Sequence, residues 1–515
     1  MDVKEVDELG RAQRRAAVYD RAKLIARLLG LATAALFAPR AVAAPFDLYD
    51  GADGATCRYF NAGARIAWRH PAGDWRDAAG AAQGEQPFAV ATLRSGGPGR
   101  VVEWDVTALV RGWLAGDYPN RGLLLATMPG PRSAPVAFVS REGSAALAPR
   151  LTIGLAGEAE PQALAPIADA WLDCSTAYGL GARSELRVGD TVRSALQFDL
   201  AGLAGRKVEH ATLALTTLGS QAYGAAIGVF RVDPPVGPPG PASRRGLATS
   251  YPRDRGIGKN PDVLFATDFE APGWVREWSY LSEGSHAERI DRDEALRFEP
   301  LFGHALKVAI AKGDNFGLDL GFDFRDKLGY EPEAVYFRYY LRFADDWDPT
   351  VDGGKLPGLS ATYGKAGWGG RRADPAIGWS MRGQFSRATS PGNPLHGTTT
   401  VGTYAYHAGM QDEYGDHWFW MNDALGVLER NRWYCLEQYF KVNAIGAKDG
   451  VLRAWIDDRL AFEKDDIWVR DLPSIRIERV WMNVYHGGTA VAARALHLYI
   501  DNIVVALKPI GCAAR

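Results

Sequence analysis

Strict alternation of apolar and polar side chains is the feature that most limits how this chain can fold. The run AVYFRYYLRF, residues 334–343, places large apolar groups at every second position, and YCLEQYFKVN, residues 434–443, repeats the pattern. A β-strand directs residues i and i+2 to the same face of its sheet, so each run predicts a strand with one buried face. Few helical repeats interrupt these runs. The sequence therefore predicts an all-β fold in which antiparallel sheets pack as a β-sandwich or jelly roll.

The length and charge of the chain limit its architecture and its partners. At 515 residues it exceeds one ordinary hydrophobic core, so two or three domains are expected. The formal net charge of -2 argues against a general nucleic-acid-binding protein, which carries a strong basic excess. An anionic ligand would have to be met by a local cluster of positive charge.

The first 44 residues have the pattern of a secretory signal. A basic region precedes an apolar run at residues 28–39, and Ala41, Val42 and Ala43 form a small-x-small cleavage site. We therefore expect a mature N-terminus near Ala44 and a secreted or periplasmic protein; an amphipathic leader helix is the alternative. The apolar run is too short for a membrane span, and no other segment of the sequence is expected to form one.

Composition divides the remainder of the chain into segments. Residues 45–157 and 158–234 contain short alternating runs separated by Gly and Pro, which predict β modules, with one short helix at residues 106–114. Residues 235–262 begin in the Pro-rich stretch PPVGPPGP and are predicted to be an extended linker. The third block, residues 263–515, carries the longest strand patterns.

Four cysteines follow the leader: Cys57, Cys174, Cys435 and Cys512. An exported chain can pair such cysteines, and three connectivities are open. None lies in a CxxC or Cys/His metal pattern, so we assign them no catalytic or metal-binding role.

Residues 45–234 resemble a carbohydrate-binding module of the DNRLRE type, a β jelly roll attached to polysaccharide-degrading enzymes. The pieces that close the family pattern, among them WDVTALVRGW, here precede the pieces that open it, among them IADAWLD. Either two modules have each lost a half, or one jelly roll is assembled from swapped halves. Neither half is long enough to bury a good core alone, so we expect the halves to pack together.

Polar side chains at alternate positions mark a candidate site between residues 353 and 406. They are Lys355 in GGKLPGL, Ser380, Arg382 and Gln384 in GWSMRGQF, and Tyr404 and Tyr406 in TYAYH. Side chains two residues apart share a face, so a hydroxyl, a guanidinium and an amide are expected on one face of the second strand. A lone strand of this kind is usually a half-solvated edge. Several that carry Lys, Arg and Tyr indicate a groove with chemistry in it.

The third block resembles polysaccharide lyase family 14, which includes alginate and glucuronan lyases. FRYYLRFADDWD, GGKLPGL, GWSMRGQF, YAYH, RWYCLEQYFKVN, GVLRAWID and LYIDNIVV follow one another in family order between residues 268 and 505. The resemblance implies a jelly-roll catalytic domain that cleaves a uronate polysaccharide by β-elimination and leaves unsaturated ends. The residues that it implicates in catalysis are Lys355, Ser380, Arg382, Tyr404 and Tyr406. The stretch at residues 386–400 is longer than usual, which bears on substrate fit.

Elimination from a 4-linked uronate sets requirements that these residue types meet. The C5 carboxylate must be neutralised, the C5 proton removed and the leaving O4 protonated. Lys355 and Arg382 supply positive charge for the developing enolate, and one such donor typically contributes about 10²–10³ in rate. Tyr404 or Tyr406 acts as base and acid in turn, because nearby cations lower the pKa of a phenol. The sequence leaves open which tyrosine takes the proton.

Further groove residues are expected around this set. The predicted substrate-binding residues are Gln384, His407, Glu437, Tyr439, Lys441 and Asn443. The structural alternatives are an ion pair between Arg382 and Glu437, a solvated Lys355, and tyrosines that are ordinary sheet-face aromatics. The joint occurrence of the motifs in family order favours the site.

No cofactor is expected. Asp268, Glu270 and Asp501 lie on strands predicted near the ends of the third block, where their oxygen ligands would suit a structural calcium ion. Acids in such positions more often only cap strand ends, so no metal ligand is assigned.

Two functions from different classes fit these observations. The first is a secreted polysaccharide lyase whose partner is an anionic uronate polysaccharide of the alginate or glucuronan type. The alternative is a non-catalytic protein that binds anionic polysaccharide, which a broken Lys, Arg or Tyr set would favour. A hydrolase with two facing carboxylates is disfavoured, because the third block offers Glu437 without an evident partner. Neither nucleic acid nor a membrane span is expected; the uronate, endo or exo action and the oligomeric state stay open.

Overall fold

The computed structural model describes residues 47–93, 97–130, 134–219, 224–233, 246–349, 353–388, 390–488 and 490–514. The predicted signal at residues 1–44 lies outside the described residues. No helix within these ranges is both long and apolar enough to cross a membrane. The chain from Phe46 to Arg515 is one compact unit, in which two sandwiches of antiparallel sheets follow one another.

The N-terminal strands are short and close together in sequence. They are β1 (Tyr59–Asn61), β2 (Ile66–Ala67), β3 (Trp75–Arg76), β4 (Ala89–Thr92), β5 (Val101–Asp105), β6 (Leu123–Thr127), β7 (Val136–Val139), β8 (Arg150–Leu155), β9 (Gln162–Leu164), β10 (Pro166–Asp173), β11 (Glu185–Val188), β12 (Val192–Phe198), β13 (Val208–Gly219) and β14 (Ala226–Val232). Helix α1 spans Thr107–Ala115, close to the predicted bounds. Gly116 ends it in the left-handed conformation (φ 78°), which glycine adopts without a Cβ penalty.

These strands form one sandwich in which the two N-terminal segments interleave. The first N-terminal sheet has the order β10-β12-β6-β14-β3, and the second has the order β11-β7-β13-β8-β9; β4 and β5 pair with β14 and β13. Each sheet therefore contains strands from both segments. Trp104 of the first segment and Leu213 of the second lie in the same buried core, and the Cys57–Cys174 disulfide links the segments. The two segments therefore share their sheets and one core.

The C-terminal strands are longer. They are β15 (Val263–Thr267), β16 (Tyr280–Leu281), β17 (Ala287–Ile290), β18 (Ala305–Ile310), β19 (Phe316–Asp323), β20 (Ala334–Phe343), β21 (Gly354–Ala361), β22 (Trp379–Ser386), β23 (Thr399–Tyr406), β24 (Asp416–Phe419), β25 (Val427–Leu428), β26 (Tyr434–Lys441), β27 (Gly450–Ile456), β28 (Arg459–Ile467), β29 (Arg479–His486) and β30 (Leu496–Ala506). A short helix α2 at Phe324–Leu328 follows β19.

Two large sheets enclose the C-terminal core. The front sheet has the order β16-β19-β29-β21-β22-β23-β24, with β25 on β23. The back sheet has the order β17-β18-β30-β20-β26-β27-β28, with β15 on β30. Phe337 and Leu436 of the back sheet pack in one core with Met381 and Met482 of the front sheet, so each sheet turns its other face outward. The predicted all-β sandwich architecture is confirmed.

The linker is shorter than predicted. Residues 246–262 were expected to be extended and unpacked, but Ala248 and Ile257 are buried against Ile510. The carboxylate of Asp254 also pairs with the guanidinium of Arg338 on β20, at 2.7 Å. These contacts add residues 246–262 to the C-terminal sandwich; residues 234–245 lie outside the described part of the chain.

The hairpin of β1 and β2 packs against the C-terminal sandwich. It shares a buried apolar cluster with residues of β24. The side chains of Asn61 and Asn393 exchange hydrogen bonds of 2.9 Å, and Thr400 Oγ1 donates to the carbonyl of Ala64 at 3.2 Å. The hairpin is thereby fixed beside the edge of the front sheet that β23 and β24 form.

Candidate active site

The register of the front sheet brings the predicted site residues onto its outer face. Arg382 on β22 lies directly opposite Tyr404 on β23, and Ser380 lies opposite Tyr406. On the other side of β22, Gln384 lies opposite Lys355 of β21. Met381 and Leu359, at the intervening positions, point into the core. Because successive side chains of a strand alternate between faces, the polar residues lie on the outer face of the sheet.

A bulge in β21 sets the position of Lys355. The register of β21 shifts on both sides. Its pairing with β22 shifts between Leu356 and Leu359, and its pairing with β29 shifts between Lys355 and Gly358. Pro357 lies in this irregularity, where its missing N–H costs no ladder hydrogen bond. Bulges re-aim neighbouring side chains, and the Lys355 Nζ atom lies 3.7 Å from the centroid of the Tyr404 ring.

Arg382 is held without a carboxylate partner. Its side chain is 7% exposed, one Nη atom donates to Asn483 Oδ1 at 3.1 Å, and its Cζ atom lies 4.7 Å from the Trp481 ring and 5.8 Å from the Tyr404 ring. Over the described ranges it forms no ion pair, and its Nε atom is buried without a hydrogen-bond partner. Burial lowers the pKa of Arg382 to about 10, so the guanidinium stays charged at neutral pH.

Lys355 places a second basic side chain in the same small region. Burial lowers its pKa well below the usual range, and the charges of Arg382 and Arg65 lower it further. Its ammonium form is therefore disfavoured as long as no anion lies nearby. A bound carboxylate would reverse that effect and favour the charged form.

The two tyrosines contact each other, and the pKa of Tyr404 shifts in the direction opposite to the expected one. Their rings are 5.5 Å apart in an edge-to-face arrangement. Burial raises the pKa of Tyr404, the neighbouring Tyr406 raises it further, and Arg382 only partly opposes this. The expectation that cations would lower this pKa is wrong for Tyr404, because burial outweighs the cation.

Ser380 and Gln384 are engaged in internal hydrogen bonds. Ser380 is fully buried, and its Oγ atom donates to the carbonyl of Gly367 at 2.6 Å. Gln384 donates to the carbonyl of Thr403 at 3.1 Å, and its Oε1 atom lies 2.6 Å from His417 Nδ1. Ser380 thus fixes a loop that follows β21, and Gln384 orients His417.

Four further side chains on this face were not predicted as site residues. His417 lies opposite Tyr404, with ring centroids 5.0 Å apart. Trp481, Asn483 and Tyr485 alternate along β29, and Tyr485 pairs directly with Lys355. Alternation in the run RVWMNVYHGG carried a usable signal for these three.

His417 is an uncharged member of the site. Burial lowers its pKa to about 3, and the charges of Arg65 and Lys355 act in the same direction. A neutral imidazole donates from Nδ1 to Gln384 Oε1 in this geometry. His407, the predicted binding residue, lies just past the end of β23 instead, where its Nε2 atom is 2.7 Å from Asp416 Oδ2.

Four predicted binding residues lie on the wrong side of the molecule for the groove. Glu437, Tyr439 and Lys441 belong to β26 of the back sheet, and their core-facing neighbours send them to its outer surface. Glu437 accepts hydrogen bonds from the amides of Ile510 (3.1 Å) and Gly511 (2.7 Å).

The remaining contacts of this group are also structural. The ring of Tyr439 packs on Tyr336, Lys441 lies 3.9 Å from Asp449, and the Cys435–Cys512 disulfide fastens the same region. Asn443 follows β26 and organises a loop by accepting from the amides of residues 469 and 470. The prediction that these four residues share the groove is therefore wrong, and no Arg382–Glu437 ion pair forms.

The acids proposed for calcium do not form a compact ligand set. Burial raises the pKa of Asp501 well above its usual range, and the charges of Glu270 and Asp268 add to this. Glu270 accepts from the amide of His304 at 2.8 Å. Within the part of the chain that the structure describes, the three carboxylates do not bring their oxygens within 4.8 Å of one another.

Asp50, Glu142 and Asp169 in the N-terminal sandwich do approach one another that closely. Arg141 occupies this cluster: its Nε atom lies 2.8 Å from Asp50 and 2.7 Å from Glu142, and its amide donates to Asp169 at 2.8 Å. The guanidinium therefore meets the negative charge of the cluster.

Two different family models match the two sandwiches. The model of polysaccharide lyase 14 matches residues 320–493, which contain the whole polar set of the front sheet from Lys355 to Tyr485. The model of the disaggregatase related repeat domain matches residues 53–153. The DNRLRE-type resemblance expected for the N-terminal segments is not confirmed.

Several similar solved structures are polysaccharide lyases. The alginate lyase Aly36B is 17% identical, and the alignment covers 49% of this chain and 97% of that chain with a TM-score of 0.37. The alginate lyase vAL-1 from Chlorella virus is 16% identical, with coverages of 47% and 99% and a TM-score of 0.36. The endo-beta-1,4-glucuronan lyase from the fungus Trichoderma reesei is 14% identical, with coverages of 48% and 100% and a TM-score of 0.31. No curated protein sequence matches the chain.

Proposed function

We propose that the C-terminal sandwich is a lyase that cleaves a uronate-containing polysaccharide, of the alginate or glucuronan type, by β-elimination. One observation carries the proposal. Inside the segment that matches the polysaccharide lyase 14 model, Lys355, Arg382 and Tyr404 converge on one sheet face, with Lys355 Nζ 3.7 Å and Arg382 Cζ 5.8 Å from the Tyr404 ring. Among the described residues, neither Lys355 nor Arg382 forms an ion pair with a carboxylate. The carboxylate of a bound sugar would pair with Arg382 and favour the charged form of Lys355.

The positive charges have a defined task in this reaction. Removal of the C5 proton leaves negative charge on C5 that spreads into the adjacent carboxylate. Arg382 and Lys355 bind that carboxylate and stabilise the charge, in a buried region where such interactions are stronger than in water. Asn483 holds the guanidinium in place through its 3.1 Å hydrogen bond, so little reorganisation is needed during the reaction.

The tyrosine pair moves the proton. The C5–H bond and the C4–O4 bond break, a C4=C5 double bond forms, and a proton ends on the departing O4. Burial keeps Tyr404 protonated at neutral pH by raising its pKa, so Tyr404 is suited to donate to O4. The rings of Tyr404 and Tyr406 are 5.5 Å apart, so one tyrosine can take the C5 proton while the other protonates O4 in the same groove.

Export of the protein is part of the proposal. The leader pattern at residues 1–44 and the two disulfides, Cys57–Cys174 and Cys435–Cys512, are typical of proteins made for an oxidising compartment. A secreted or periplasmic location would also bring the protein to an extracellular polymer. Sequencing the mature N-terminus in the native host checks this: a start near residue 44 is expected, and full-length cytoplasmic protein would contradict it.

The reaction is tested by incubating the protein with alginate, glucuronan and other uronate polymers and following the ultraviolet absorbance of the unsaturated product. Tyr404→Phe and Tyr406→Phe should each lower turnover by about 10²-fold or more, the usual contribution of a positioned proton-transfer group. Tyr439→Phe, a matched change on the outer face of the back sheet, should leave turnover unchanged. Tight binding of polymer without any unsaturated product would instead favour the non-catalytic binding protein.

A further inference from the structure

We propose that the N-terminal sandwich completes the substrate groove, and that the cleft between its β1–β2 hairpin and the β24 edge of the front sheet binds additional sugar units of the polysaccharide. The proposal rests on the proposed lyase function for the identity of the ligand. The two walls of this cleft match different family models. The front sheet lies in the segment that matches polysaccharide lyase 14, whereas the hairpin lies in the segment that matches the disaggregatase related repeat domain.

The hairpin reaches the catalytic residues. Its turn carries Arg65 in the left-handed backbone conformation (φ 56°), beside Ala64, whose carbonyl accepts from Thr400 of β23. The charge of Arg65 acts on both Lys355 and His417. A residue from the N-terminal half of the chain therefore contributes to the positive potential of the site.

A cleft continues from this point along both sandwiches. One part, of about 600 Å³, is lined by Trp68 and Arg69 of the N-terminal sandwich and by Trp418 and Lys464 of the C-terminal one. A second part, of about 650 Å³, shares Trp68, Arg69 and Trp418 and adds Arg58. The shared lining residues make the two parts contiguous. Their combined volume suits several sugar rings, since pockets for drug-sized ligands are roughly 300–1,000 Å³.

The cleft adjoins the candidate active site at His417. This residue lines both parts of the cleft, and its ring lies 5.0 Å from that of Tyr404. The groove residues follow the strand order β29, β21, β22, β23 and β24, so a chain bound across these strands emerges at the β24 edge. The cleft lies at that exit.

The lining suits sugars that carry carboxylates. Trp418 and Phe462 are nearly parallel, with ring centroids 6.2 Å apart, and Lys464 Nζ lies 5.5 Å from the Trp418 ring. Flat aromatic surfaces pack against sugar rings, while cations at their edges meet carboxylates.

Acidic groups are also present in the cleft. Asp416 and Glu463 line it, and Asp412 lies 3.7 Å from Arg58. These carboxylates accept hydrogen bonds from sugar hydroxyls, and they keep the cleft from attracting every polyanion equally. The combination favours a sugar chain with regularly spaced carboxylates over a uniformly charged polymer.

Chain-length dependence of the reaction tests the proposal. In the wild type, kcat/KM should rise from a trisaccharide to longer uronate oligosaccharides, because longer chains reach the cleft. Arg58→Ala combined with Lys464→Ala should lower kcat/KM on long chains by about tenfold, the effect expected for losing a hydrogen bond to a charged group, and by much less on the trisaccharide. The side chain of Arg58 is 68% exposed and that of Lys464 is 30% exposed, and an unchanged melting temperature establishes that the variant folds.

Matched charge removals elsewhere serve as controls. Arg150→Ala in β8, on the second N-terminal sheet, and Lys508→Ala, just past β30, each remove one exposed cation away from the cleft. Both controls should keep the wild-type length dependence. Equal effects of the cleft variant on short and long chains, or no effect on either, would overturn the proposal.

A binding measurement separates this proposal from the proposed function. In a Tyr404→Phe background, the affinity for intact polymer should fall about tenfold when Arg58→Ala and Lys464→Ala are added. If the wild type yields no unsaturated product but the cleft variant loses polymer affinity, the lyase assignment fails and the cleft stands. If elimination occurs and affinity is unchanged by the cleft variant, the lyase assignment stands and the cleft fails.

Discussion

Two buried arginines, Arg338 and Arg382, lie on the outer faces of the two C-terminal sheets, and their surroundings differ in charge. Arg338 on the back sheet is fully buried and donates to Asp254 at 2.7 Å. Burial disfavours its charge, but the carboxylate of Asp254 and neighbouring groups more than offset this, so the pKa of Arg338 is raised. Arg382 on the front sheet donates to the amide of Asn483, packs on aromatic faces and forms no ion pair among the described residues. Burial lowers its pKa, and the charge of Asp319 offsets this only in part.

The comparison separates a structural charge from one kept for a ligand. A buried ion that the chain neutralises itself needs nothing from outside, whereas a buried ion next to a second cation is stabilised when an anion arrives. Arg382 has Lys355 as a neighbour whose ammonium form is disfavoured until an anion binds. The front face therefore carries a positive charge that has no ion-pair partner in the described part of the chain, and under the proposed function a uronate carboxylate would be that partner.

The largest effect is expected on turnover. Arg382→Ala and Lys355→Ala should each lower kcat by about 10²–10³, because each removes a group that stabilises the developing charge. Initial rates from the ultraviolet absorbance of the product measure this. Lys441→Ala on the back sheet is the matched control and should retain full turnover; near-normal elimination by both front-face variants would contradict the assignment.

The next effect is on stability and concerns the back face. Arg338→Ala leaves the buried carboxylate of Asp254 without its partner, which should cost about 3–5 kcal/mol in the free energy of unfolding. Denaturant titration of the C-terminal sandwich measures this cost, while kcat per folded molecule should stay unchanged. Combining Arg338→Met with Asp254→Asn should recover part of the lost stability, since no buried charge is then left and asparagine tolerates the left-handed backbone of residue 254 (φ 57°). A loss of turnover without a loss of stability would remove the distinction between the two arginines.

Alternation in the sequence identified the strands and their faces well. The run at residues 334–343 is β20, and the parity of Ser380, Arg382 and Gln384 placed them on one face of β22. Parity is a property of one strand, however, and it does not say to which sheet the strand belongs. Glu437 and Lys441 alternate on β26 as convincingly as Arg382 does on β22, yet β26 lies in the other sheet.

Contacts between distant parts of the chain could not be predicted from the alternation of residues. Arg65 acts on Lys355, and Asn61 bonds to Asn393 across 332 residues. Such contacts depend on how two sandwiches dock, which is decided by shape and apolar burial at their shared cluster rather than by any local period. The same limit applies to the pKa of Tyr404, because the degree of burial that raises it follows from packing.

The next effect is on the pH dependence of folding stability, and it concerns His417 on the front face. The pKa of His417 is lowered to about 3 in the folded protein, whereas an unfolded histidine titrates near 6.5. Below pH 6.5 the unfolded state therefore binds more protons, and folding stability falls as the pH falls towards 3. Between pH 7 and pH 5 the loss should be about 2 kcal/mol.

Urea unfolding at several pH values measures this loss, and His417→Gln should reduce the slope. His497 on the back sheet, which lies 2.7 Å from Asp346, is the control position, and His497→Gln should not reduce the slope in the same direction. An unchanged slope in His417→Gln would show that the imidazole is free to protonate in the folded state.

The smallest effect is a gain. Because burial, Arg382 and Arg65 lower the pKa of Lys355, the folded protein bears a cost for this lysine at neutral pH, and Lys355→Met should remove it. We expect the melting temperature to rise by about 2–4 °C, the shift that roughly 1 kcal/mol produces in a domain of this size. The unfolded lysine loses its proton near pH 10.4, so the gain should shrink as the pH approaches that value. Lys441→Met, on the back sheet, should give no gain.

Saturating uronate oligosaccharide should make the wild type melt at a higher temperature than Lys355→Met, because the carboxylate of the ligand stabilises the wild type through the charge that the variant lacks. A lower melting temperature in Lys355→Met without ligand would mean that the lysine supports the fold, and that the two outer faces do not differ in the way the two arginines indicate.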